Sequence, residues 1–372
     1  MNICFISYDY PDERRSVFPF VKQLVDEIAR QGHVCQVIAP YSITNNKRFH
    51  KYKEVQNQGQ GKVIIYRPNY LSVGNLSIKG CSLTFLFQKK AINYALNRLE
   101  KKPDAVYGHF WNYGLYGYVF AKKNKLPLFI ASGESSILLK YNEVSDKDFF
   151  DYVKGVICVS SKNKYESIVK HLTTEEKCVV IPNAVDTQIF RLLDKKECRK
   201  NLNIKTDDFV VAFVGGFIER KGVLRVSNAL KKIRENNIKA IFIGGGTQDP
   251  DCPNILFKGK LPHSEVAKYL NASDVFVLPT QAEGCCNAII EAMACGLPIV
   301  SSNLSFNWDV LNNSNSIMID PNNVDEIAKA IILIKNNKEL RESMSKAALK
   351  TASELTIDAR AKKIIDFIKS RL

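Results

Sequence analysis

The feature that most constrains the fold is a repeated alternation of short apolar runs with amphipathic segments of helical spacing. Asn2–Ser7 predicts a buried strand, and Phe18–Gln31 predicts a helix that ends at Gly32. The same pattern continues with predicted strands Val34–Ala39, Val63–Tyr66, Ala105–Tyr107, Leu128–Ala131 and Val156–Ser160 and a predicted helix Phe85–Lys101. Strands that alternate with helices predict right-handed crossovers and a mainly parallel sheet.

The alternation restarts after Val179–Asp186, with predicted strands Phe209–Val214, Ala240–Ile243, Val275–Leu278 and Pro298–Ser301. A chain of 372 residues suits two α/β domains better than one core. We therefore expect two doubly wound Rossmann-like domains, residues 1–183 and 184–355, with the carboxyl ends of their strands facing a cleft. The last predicted helix, Asp358–Lys369 within residues 356–372, is expected to pack back on the first domain.

Composition narrows the class of protein. The hydrophobic fraction of 45% and charged fraction of 24% are typical of globular proteins, and no apolar run approaches the roughly 20 residues of a membrane span. The start, Met1–Asp9, has no basic leader and reads as a strand. The ten cysteines form no Cys-x-x-Cys pair, so no zinc site is expected, nor a disulfide between Cys285 and Cys286 in a reducing cytosol. These observations predict a cytoplasmic protein.

The net charge of +15 is concentrated in the first half, where residues 1–185 hold 26 Lys and Arg against 16 Asp and Glu. Such a field attracts phosphates of nucleic acids, lipid headgroups or small molecules, although solvated helix faces explain it equally well. No RNA-binding signature accompanies the charge, so no nucleic-acid partner is expected. Weak, salt-sensitive peripheral attachment to anionic lipid at the inner face of the plasma membrane is an expectation.

Glycine-rich turns follow two strands of the second half. In FVGGFIERKG, residues 213–222, Gly215 and Gly216 let the backbone approach a ligand, and Lys221 at a helix start favours a diphosphate. Gly244 opens a second such turn. Each turn alone is equally compatible with a tight connection and a surface lysine.

The most specific motif is EGCCNAIIEAMACGLP, residues 283–298. Asn287 predicts the N-cap of a helix over Ala288–Cys295, which puts Glu283 in the preceding loop and Glu291 in the first turn. Glu291 alone is an ordinary acidic residue near a helix start, but the pair suits the vicinal hydroxyls of a sugar. Neither carboxylate is expected in the core. The backbone amides of Gly284, Cys285 and Cys286 in this loop can donate hydrogen bonds to the same sugar.

The stretch EGCCNAIIEAMACGLPIV resembles the Glu-x7-Glu signature of glycosyltransferase family 4, the retaining group 1 glycosyl transferases of the GT-B fold. Neighbouring motifs agree in order and spacing: VIPNAVDTQIF (180–190), FVGGFIERKG (213–222), IFIGGG (241–246) and ILFKGKLPHSEVAKYLNASDVFVLPT (255–280). The first domain is similar more loosely, through YPDERRSVFPFVKQLVDEIARQGH and VYGHFWNYG. The resemblance implies an acceptor-binding first domain and a second domain that binds a nucleotide-diphosphate sugar.

By this resemblance, Lys221 neutralises the diphosphate, Glu283 binds hydroxyls of the donor sugar and Glu291 binds the ribose. The donor is expected to be a nucleotide sugar such as a UDP-sugar, and the acceptor a sugar or lipid-linked sugar of surface polysaccharide or glycolipid biosynthesis. No metal and no other cofactor is implied, since fixed cations and amides take the diphosphate charge.

The chain departs from the family pattern at two places. Gly216 stands where the family often has a phosphate-binding arginine; Arg220 is the candidate to compensate, although neighbouring residues on a turn are expected to point in different directions. The family's first-domain histidine is also missing, and its place is open to Glu134, Ser132 or His109. Arg14, Arg15 and Ser16 have two interpretations. They contact the acceptor or the diphosphate, or they form a solvated loop.

Two other functions remain as alternatives at this stage. A nucleotide-sugar epimerase of the same fold would share the donor site but need no acceptor. A basic nucleic-acid-binding protein would explain only the charge.

Overall fold

The computed structural model describes residues 1–12, 18–44, 51–78, 81–139 and 147–372. It divides the chain into two compact units. The first consists of Met1–Ile181 together with Ile357–Leu372, and the second is Pro182–Thr356. The boundaries expected from the sequence, after residues 183 and 355, lie next to these divisions.

The first unit is built on an eight-stranded sheet. The strands of this unit are β1 (Asn2–Ile6), β2 (Val34–Ile38), β3 (Tyr41–Ser42), β4 (Lys53–Gln58), β5 (Gly61–Tyr66), β6 (Asn69–Tyr70), β7 (Ser77–Ile78), β8 (Cys81–Ser82), β9 (Ala105–His109), β10 (Leu128–Ser132), β11 (Val153–Cys158) and β12 (Cys178–Val180). The sheet runs in the order β12-β11-β10-β9-β1-β2-β5-β4. Only β4 pairs antiparallel in it, so the prediction of a mainly parallel sheet is confirmed.

Helices cover this sheet, and the first of them, for example, buries an apolar face that includes Val21, Leu24 and Ile28. The helices are α1 (Pro19–Arg30), α2 (Leu83–Leu96), α3 (Trp111–Lys123), α4 (Lys147–Tyr152) and α5 (Ser161–Val169). Helix α2 ends five residues before the predicted Lys101, since the Asn97 side chain donates to the carbonyl of Asn93 at 2.8 Å and closes the last turn. It begins at Leu83, where the Ser82 hydroxyl accepts from the amide of Phe85.

The second unit has a six-stranded, wholly parallel sheet. Its strands are β13 (Phe209–Val214), β14 (Ile238–Ile243), β15 (Ile255–Gly259), β16 (Val275–Leu278), β17 (Ile299–Ser302) and β18 (Ser316–Ile319), and its helices are α6 (Lys195–Asn201), α7 (Val223–Ile233), α8 (His263–Ala272), α9 (Asn287–Ala294), α10 (Val324–Asn336) and α11 (Lys338–Glu354). The order β15-β14-β13-β16-β17-β18 reverses direction between β13 and β16. Doubly wound sheets bind ligands at such a reversal, beyond the carboxyl ends of the strands.

The last helix, α12 (Ile357–Lys369), belongs to the first unit. Its apolar face joins the core of α1, with Ile364 and Ile368 fully buried beside Ile28. The Gln31 side chain donates to the Asp358 carbonyl at 3.0 Å. Among the residues with described positions, no helix is long and apolar enough to cross a membrane.

A buried ion pair fixes the two strands that flank the reversal. Asp274, just before β16, accepts from the amide of Val210 in β13 at 2.6 Å. The same carboxylate oxygen lies 2.7 Å from Arg199 of α6, and both side chains are nearly inaccessible. Arg199 also donates to the Ala272 carbonyl at 2.9 Å. The starts of β13 and β16 are thereby held together, and the loops at their opposite ends are positioned by them.

Asp274→Asn should destabilise the second unit by about 3 kcal/mol, because it leaves the Arg199 guanidinium buried without an anionic partner. The measurement is urea denaturation followed by circular dichroism. Asp251→Asn is the matched control: its carboxylate is 87% exposed in an ion pair with Lys231, so a change within about 0.5 kcal/mol is expected. An equal loss of unfolding free energy in both variants would show that the buried ion pair contributes no more to stability than the exposed one.

Candidate active site

Two loops come together at the reversal of the second sheet: the one after β13 and the one after β16. The Gln281 amide donates to the Arg220 carbonyl at 2.8 Å, and the Arg220 guanidinium donates to the Ala282 carbonyl. Arg220 lies in a short 3-10 turn, Glu219–Lys221, between β13 and α7. The glycine-lysine motif and the paired-glutamate motif thus lie side by side at one sheet edge.

A carboxylate cluster joins the two loops. One oxygen of Glu283, Oε1, contacts the Lys221 ammonium, the Thr280 hydroxyl at 2.9 Å and the Arg220 guanidinium at 3.2 Å. Lys221 and Glu283 are only 15% and 12% exposed. Within the described residues Oε2 of Glu283 has no hydrogen-bond partner, so this oxygen can accept from a ligand hydroxyl.

Arg220 and Lys221 therefore converge on the same atom, and the expectation that they point in different directions is wrong. The 3-10 turn brings consecutive side chains close enough to share one acceptor. Burial alone would lower the pKa of Lys221, but attraction to Cys286 and Glu283 outweighs it and the pKa is raised. Lys221 is thus a fixed cation at neutral pH. Thr280, which completes the cluster, was not singled out in the sequence.

Two glycines of this region are required by backbone packing. Gly222 caps α7 with φ of 79°, and a Cβ there would lie 2.7 Å from the Pro279 carbonyl. A Cβ on Gly244 would lie 1.8 Å from the carbonyl of Gly215, so close approach of the two glycine turns explains this glycine without a ligand. Gly216, by contrast, has room: a Cβ would meet only the Ile218 side chain, at 3.8 Å.

Helix α9 begins one residue earlier than predicted. Cys286 has extended backbone and is the N-cap, whereas Asn287 is the first helical residue, so the prediction of Asn287 as N-cap is wrong. Glu291 is consequently the fifth residue of the helix and lies beyond the first turn. In the described part of the chain the buried Oδ1 of Asn287 has no hydrogen-bond partner.

The loop before α9 is buried. Gly284, Cys285 and Cys286 are buried, and Cys286 is a free thiol. Burial raises the pKa of Cys286 to about 11, against the opposing effect of Lys221. The Asn183 side chain donates to the Cys285 carbonyl at 2.9 Å, which ties this loop to the start of the second unit.

Glu291 forms a second polar pair, with His263 at the start of α8. The two side chains lie 2.9 Å apart, from Nε2 to Oε1, and Glu291 is 14% exposed. Burial alone would lower the pKa of His263, but the hydrogen bond and attraction of Glu291 outweigh it and the pKa is raised. The Phe190 ring packs against the imidazole at 4.9 Å. His263 was missed because its only sequence signal is a histidine after Pro262.

Both side chains are largely shielded from solvent, at 12% and 14% exposure, but neither glutamate is among the residues buried in the core, as expected. Each has its charge compensated by a partner that sequence spacing does not reveal, because Lys221 and His263 lie on other elements. The structure places Glu283 and Glu291 in two separate polar pairs.

In the first unit, Glu134 takes the place of a capping residue for α3. Its Oε1 accepts from the amide of Trp111, the first residue of α3, and its Oε2 from the amide of Gly133, each at 2.9 Å. The N-cap itself, Phe110, supplies no side-chain hydrogen bond. Burial raises the pKa of Glu134 to about 7, although the two amide hydrogen bonds oppose the shift.

The other two candidates for the missing histidine are more enclosed. His109, at the end of β9, is 6% exposed and packs on Phe20 and Phe110. Burial and the charge of Arg360 lower its pKa to about 3, so the ring is neutral. Ser132 is fully buried and its hydroxyl contacts the Trp111 indole at 3.2 Å. The predicted contacts Arg14, Arg15 and Ser16 lie outside the described residues. Over the described ranges, no cluster of three metal-ligating side chains was found.

The raised pKa of Glu134 predicts a pH-dependent stability. The folded chain holds this proton up to about pH 7, whereas an unfolded glutamate releases it near its ordinary value of 4.5. Stability from this group is therefore full below pH 4.5 and declines as pH rises through 7. Relative to Glu134→Gln, the wild type should lose melting temperature between pH 5 and pH 8.

Glu166→Gln serves as the control. Although buried, Glu166 accepts hydrogen bonds from Lys162 and Lys170 that lower its pKa to about 2. Apart from the small loss of its repulsion with Glu134, the last-named contribution to the raised pKa of Glu134, its offset from the wild type should stay constant over the same range. A constant offset for Glu134→Gln as well would contradict the assignment.

Two family models match the chain. The model of Glycosyltransferase Family 4 matches residues 19–189, and the model of Glycosyl transferases group 1 matches residues 194–351. The first match falls in the first unit apart from its last residues, and the second falls in the unit that holds the Glu283 cluster.

Curated relatives agree. TuaC of Bacillus subtilis (strain 168), which carries the name of a teichuronic acid biosynthesis glycosyltransferase, is 23% identical over 89% of this chain and 88% of its own length. An Escherichia coli UDP-Gal:alpha-D-GlcNAc-diphosphoundecaprenol alpha-1,3-galactosyltransferase is 27% identical over 72% of this chain and 75% of its own.

A solved structure has the same fold. HepE of Anabaena, crystallised in complex with UDP, superposes with a TM-score of 0.75 at 16% identity, covering the whole of both chains. These matches give no support to an epimerase or a nucleic-acid-binding protein. With α/β units of the GT-B type and both family models matched, the chain belongs to the family 4, group 1 glycosyltransferases.

Proposed function

We propose that this glycosyltransferase moves a hexose from a UDP-sugar to the sugar of a lipid-linked acceptor, with retention at the anomeric carbon, in the assembly of a surface polysaccharide. The names of the two relatives support this setting, since one is named for teichuronic acid biosynthesis and the other for galactose transfer to alpha-D-GlcNAc-diphosphoundecaprenol. The UDP complex of HepE supports UDP as the nucleotide of the donor. The Glu-x7-Glu spacing of Glu283 and Glu291 supports retention by family resemblance.

The observation that carries the proposal is the cluster around Glu283 at the reversal of the second sheet. Lys221 and Arg220 hold Oε1, and Oε2 is left to accept from a donor-sugar hydroxyl. The two cations exceed the single carboxylate by one charge, so the cluster attracts a diphosphate. Glu291, oriented by His263, is the acceptor for the ribose hydroxyls.

Charge development explains why the cations matter for rate. When the bond between the anomeric carbon and the diphosphate breaks, negative charge grows on the leaving diphosphate. Lys221 is already cationic and fixed by Glu283, so little reorganisation is needed to stabilise that charge. In this proposal no metal ion takes part, and chelation with EDTA should leave turnover unchanged.

A thermal-shift panel tests the proposal. UDP-glucose, UDP-galactose, UDP-N-acetylglucosamine and GDP-mannose are added in turn, with UDP alone as reference; a ligand at 100 times its Kd adds about 2.7 kcal/mol of stability. The donor that shifts most is then incubated with and without a prenyl-diphosphate sugar. Epimer formation from the donor alone would favour the epimerase alternative, and no shift with any of these nucleotides would refute the proposal.

Lys221→Ala should weaken UDP by about 10-fold or more, because the proposed role of the lysine is to bind the diphosphate, and should weaken the intact UDP-sugar at least as much, because the lysine also holds Glu283. Calorimetric titration of both ligands measures it. Lys231→Ala removes a half-exposed lysine of the same unit and is the control. An unchanged Kd for UDP would remove Lys221 from the diphosphate site.

Glu283→Gln and Glu291→Gln should fail in different ways. Loss of charge at Glu283 removes a charge-assisted hydrogen bond to the sugar, so turnover should fall about 10- to 100-fold while the Kd for UDP stays near wild type. Glu291→Gln should instead weaken UDP itself, because the ribose is common to both ligands.

Calorimetry with UDP beside turnover with the donor separates the two variants. Since both carboxylates are largely buried, thermal melts of each variant establish that it is folded before the comparison. Identical profiles in folded variants would show that the glutamates do not divide the donor between them.

A further inference from the structure

His263 and Glu291 form a polar pair across two helices of the second unit. His263 is the first residue of α8 and Glu291 lies in α9, with Nε2 of the imidazole 2.9 Å from Oε1 of the carboxylate. The imidazole is 30% exposed and the carboxylate 14%, so solvent screens their interaction only in part. The charge of the imidazole therefore acts on whatever binds at Glu291.

Helix stability does not explain a protonated histidine at this position. The N-terminus of a helix carries a partial positive charge, which disfavours a second cation there. The N-cap, Pro262, supplies no side-chain hydrogen bond, and the acidic residue of the first turn, Glu265, pairs with Lys268 at 3.1 Å. Any group that keeps a proton on His263 must therefore come from another element.

Phe190 restricts the orientation of the imidazole. Its buried ring lies 4.9 Å from the imidazole, edge to face, with an angle of 62° between the planes. This packing keeps Nε2 directed to Oε1 of Glu291. Apart from this contact, none of the described residues donates a hydrogen bond to the Glu291 carboxylate. The pair thus presents Oε2, already oriented, to a ligand.

Two carboxylates determine the protonation of His263. Burial lowers its pKa, but the hydrogen bond and charge of Glu291, with a smaller attraction to Asp186, outweigh burial and raise it. Both α6 and β13 also pack on α8. No residue of β13 is charged. The buried or half-buried cations of α6 contact Asp274 at the opposite end of α8, and the other charged residues of α6 are exposed: Lys195 and Arg199, then Lys196, Glu197 and Lys200.

We propose that His263 is a positioning residue through which pH controls nucleotide binding. The inference rests on the function proposed above, in which Glu291 binds the ribose. With a protonated imidazole the pair is electrically neutral, whereas loss of the proton leaves one net negative charge on the carboxylate. A nucleoside diphosphate is anionic, so it binds more tightly to the neutral pair. Its Kd should therefore rise as pH increases through the raised pKa of His263.

Protonation and nucleotide binding affect each other by the same factor. Because the protonated form binds the nucleotide more tightly, the bound nucleotide must in turn hold the proton more tightly and raise the pKa of His263 further. A histidine that only supports the fold would not respond to the nucleotide in this way. The reciprocal effect therefore separates a positioning role from a structural one.

Calorimetric titration with UDP at pH 6 and pH 8.5 tests the effect on affinity. His263→Gln keeps a side-chain donor for Glu291 but cannot gain a proton, and the titration of UDP itself is common to both proteins. The ratio of the two Kd values should be about 3-fold or more larger in the wild type than in this variant. His171→Asn, which replaces an exposed histidine of the first unit, is the matched control and should match the wild type.

NMR titration of the histidine Hε1 signals measures the reciprocal effect. The signal that is missing in His263→Gln identifies His263, and its pKa should be higher with saturating UDP than without it. His263→Ala, which removes the donor to Glu291, should weaken UDP at both pH values.

Equal Kd ratios in the wild type and His263→Gln, or a pKa of His263 that UDP leaves unchanged or lowers, overturn the inference while the donor site stands. Absence of UDP binding at either pH, in the wild type and in every variant, would instead refute the UDP-sugar proposal and the inference with it.

Discussion

Three side chains of the second unit contact one oxygen of Glu283. They are the Lys221 ammonium, the Arg220 guanidinium and the Thr280 hydroxyl. This shared contact joins the loop after β13 to the loop after β16. Without it, Lys221 would be a buried cation with no compensating charge, and Arg220 would keep only its hydrogen bond to the Ala282 carbonyl in that loop. The geometry of the candidate donor site depends on this carboxylate, which in turn depends on the strand order that brings the two loops together.

The strands and their parallel pairing could be anticipated, because buried parallel strands appear as continuous apolar runs separated by helices. The predicted Phe209–Val214 and Val275–Leu278 have the bounds of β13 and β16. Partners across elements could not be anticipated. Thr280 and His263 carry no spacing signal relative to Glu283 and Glu291, since their proximity arises only when the sheet has formed. The start of α9 was displaced for a local reason, because a cysteine with extended backbone precedes an asparagine that resembles a cap.

Glu134, one candidate for the place of the family's missing histidine, has both a structural role at a helix start and a raised pKa. A carboxylate at a helix start is stabilised by free amides and the helix dipole, and here it replaces a cap that Phe110 cannot provide. Phe110, whose φ of 79° is rare outside glycine, packs its ring against those of Phe18 and His109. The glutamate and the strained phenylalanine are therefore two parts of one arrangement at the start of α3, which a sequence pattern would treat as unrelated.

The return of the chain to the first unit has a consequence for how the protein is made. Helix α12 buries Ile364 and Ile368 against residues near position 28, across a sequence separation that includes the whole second unit. During synthesis the first unit emerges from the ribosome without this helix, with the apolar surface of α1 uncovered. Its core closes only after the second unit has been translated, and closing so long a loop is slow relative to local contacts. The second unit can complete its own sheet earlier, so the part of the chain made first is the part that finishes folding last.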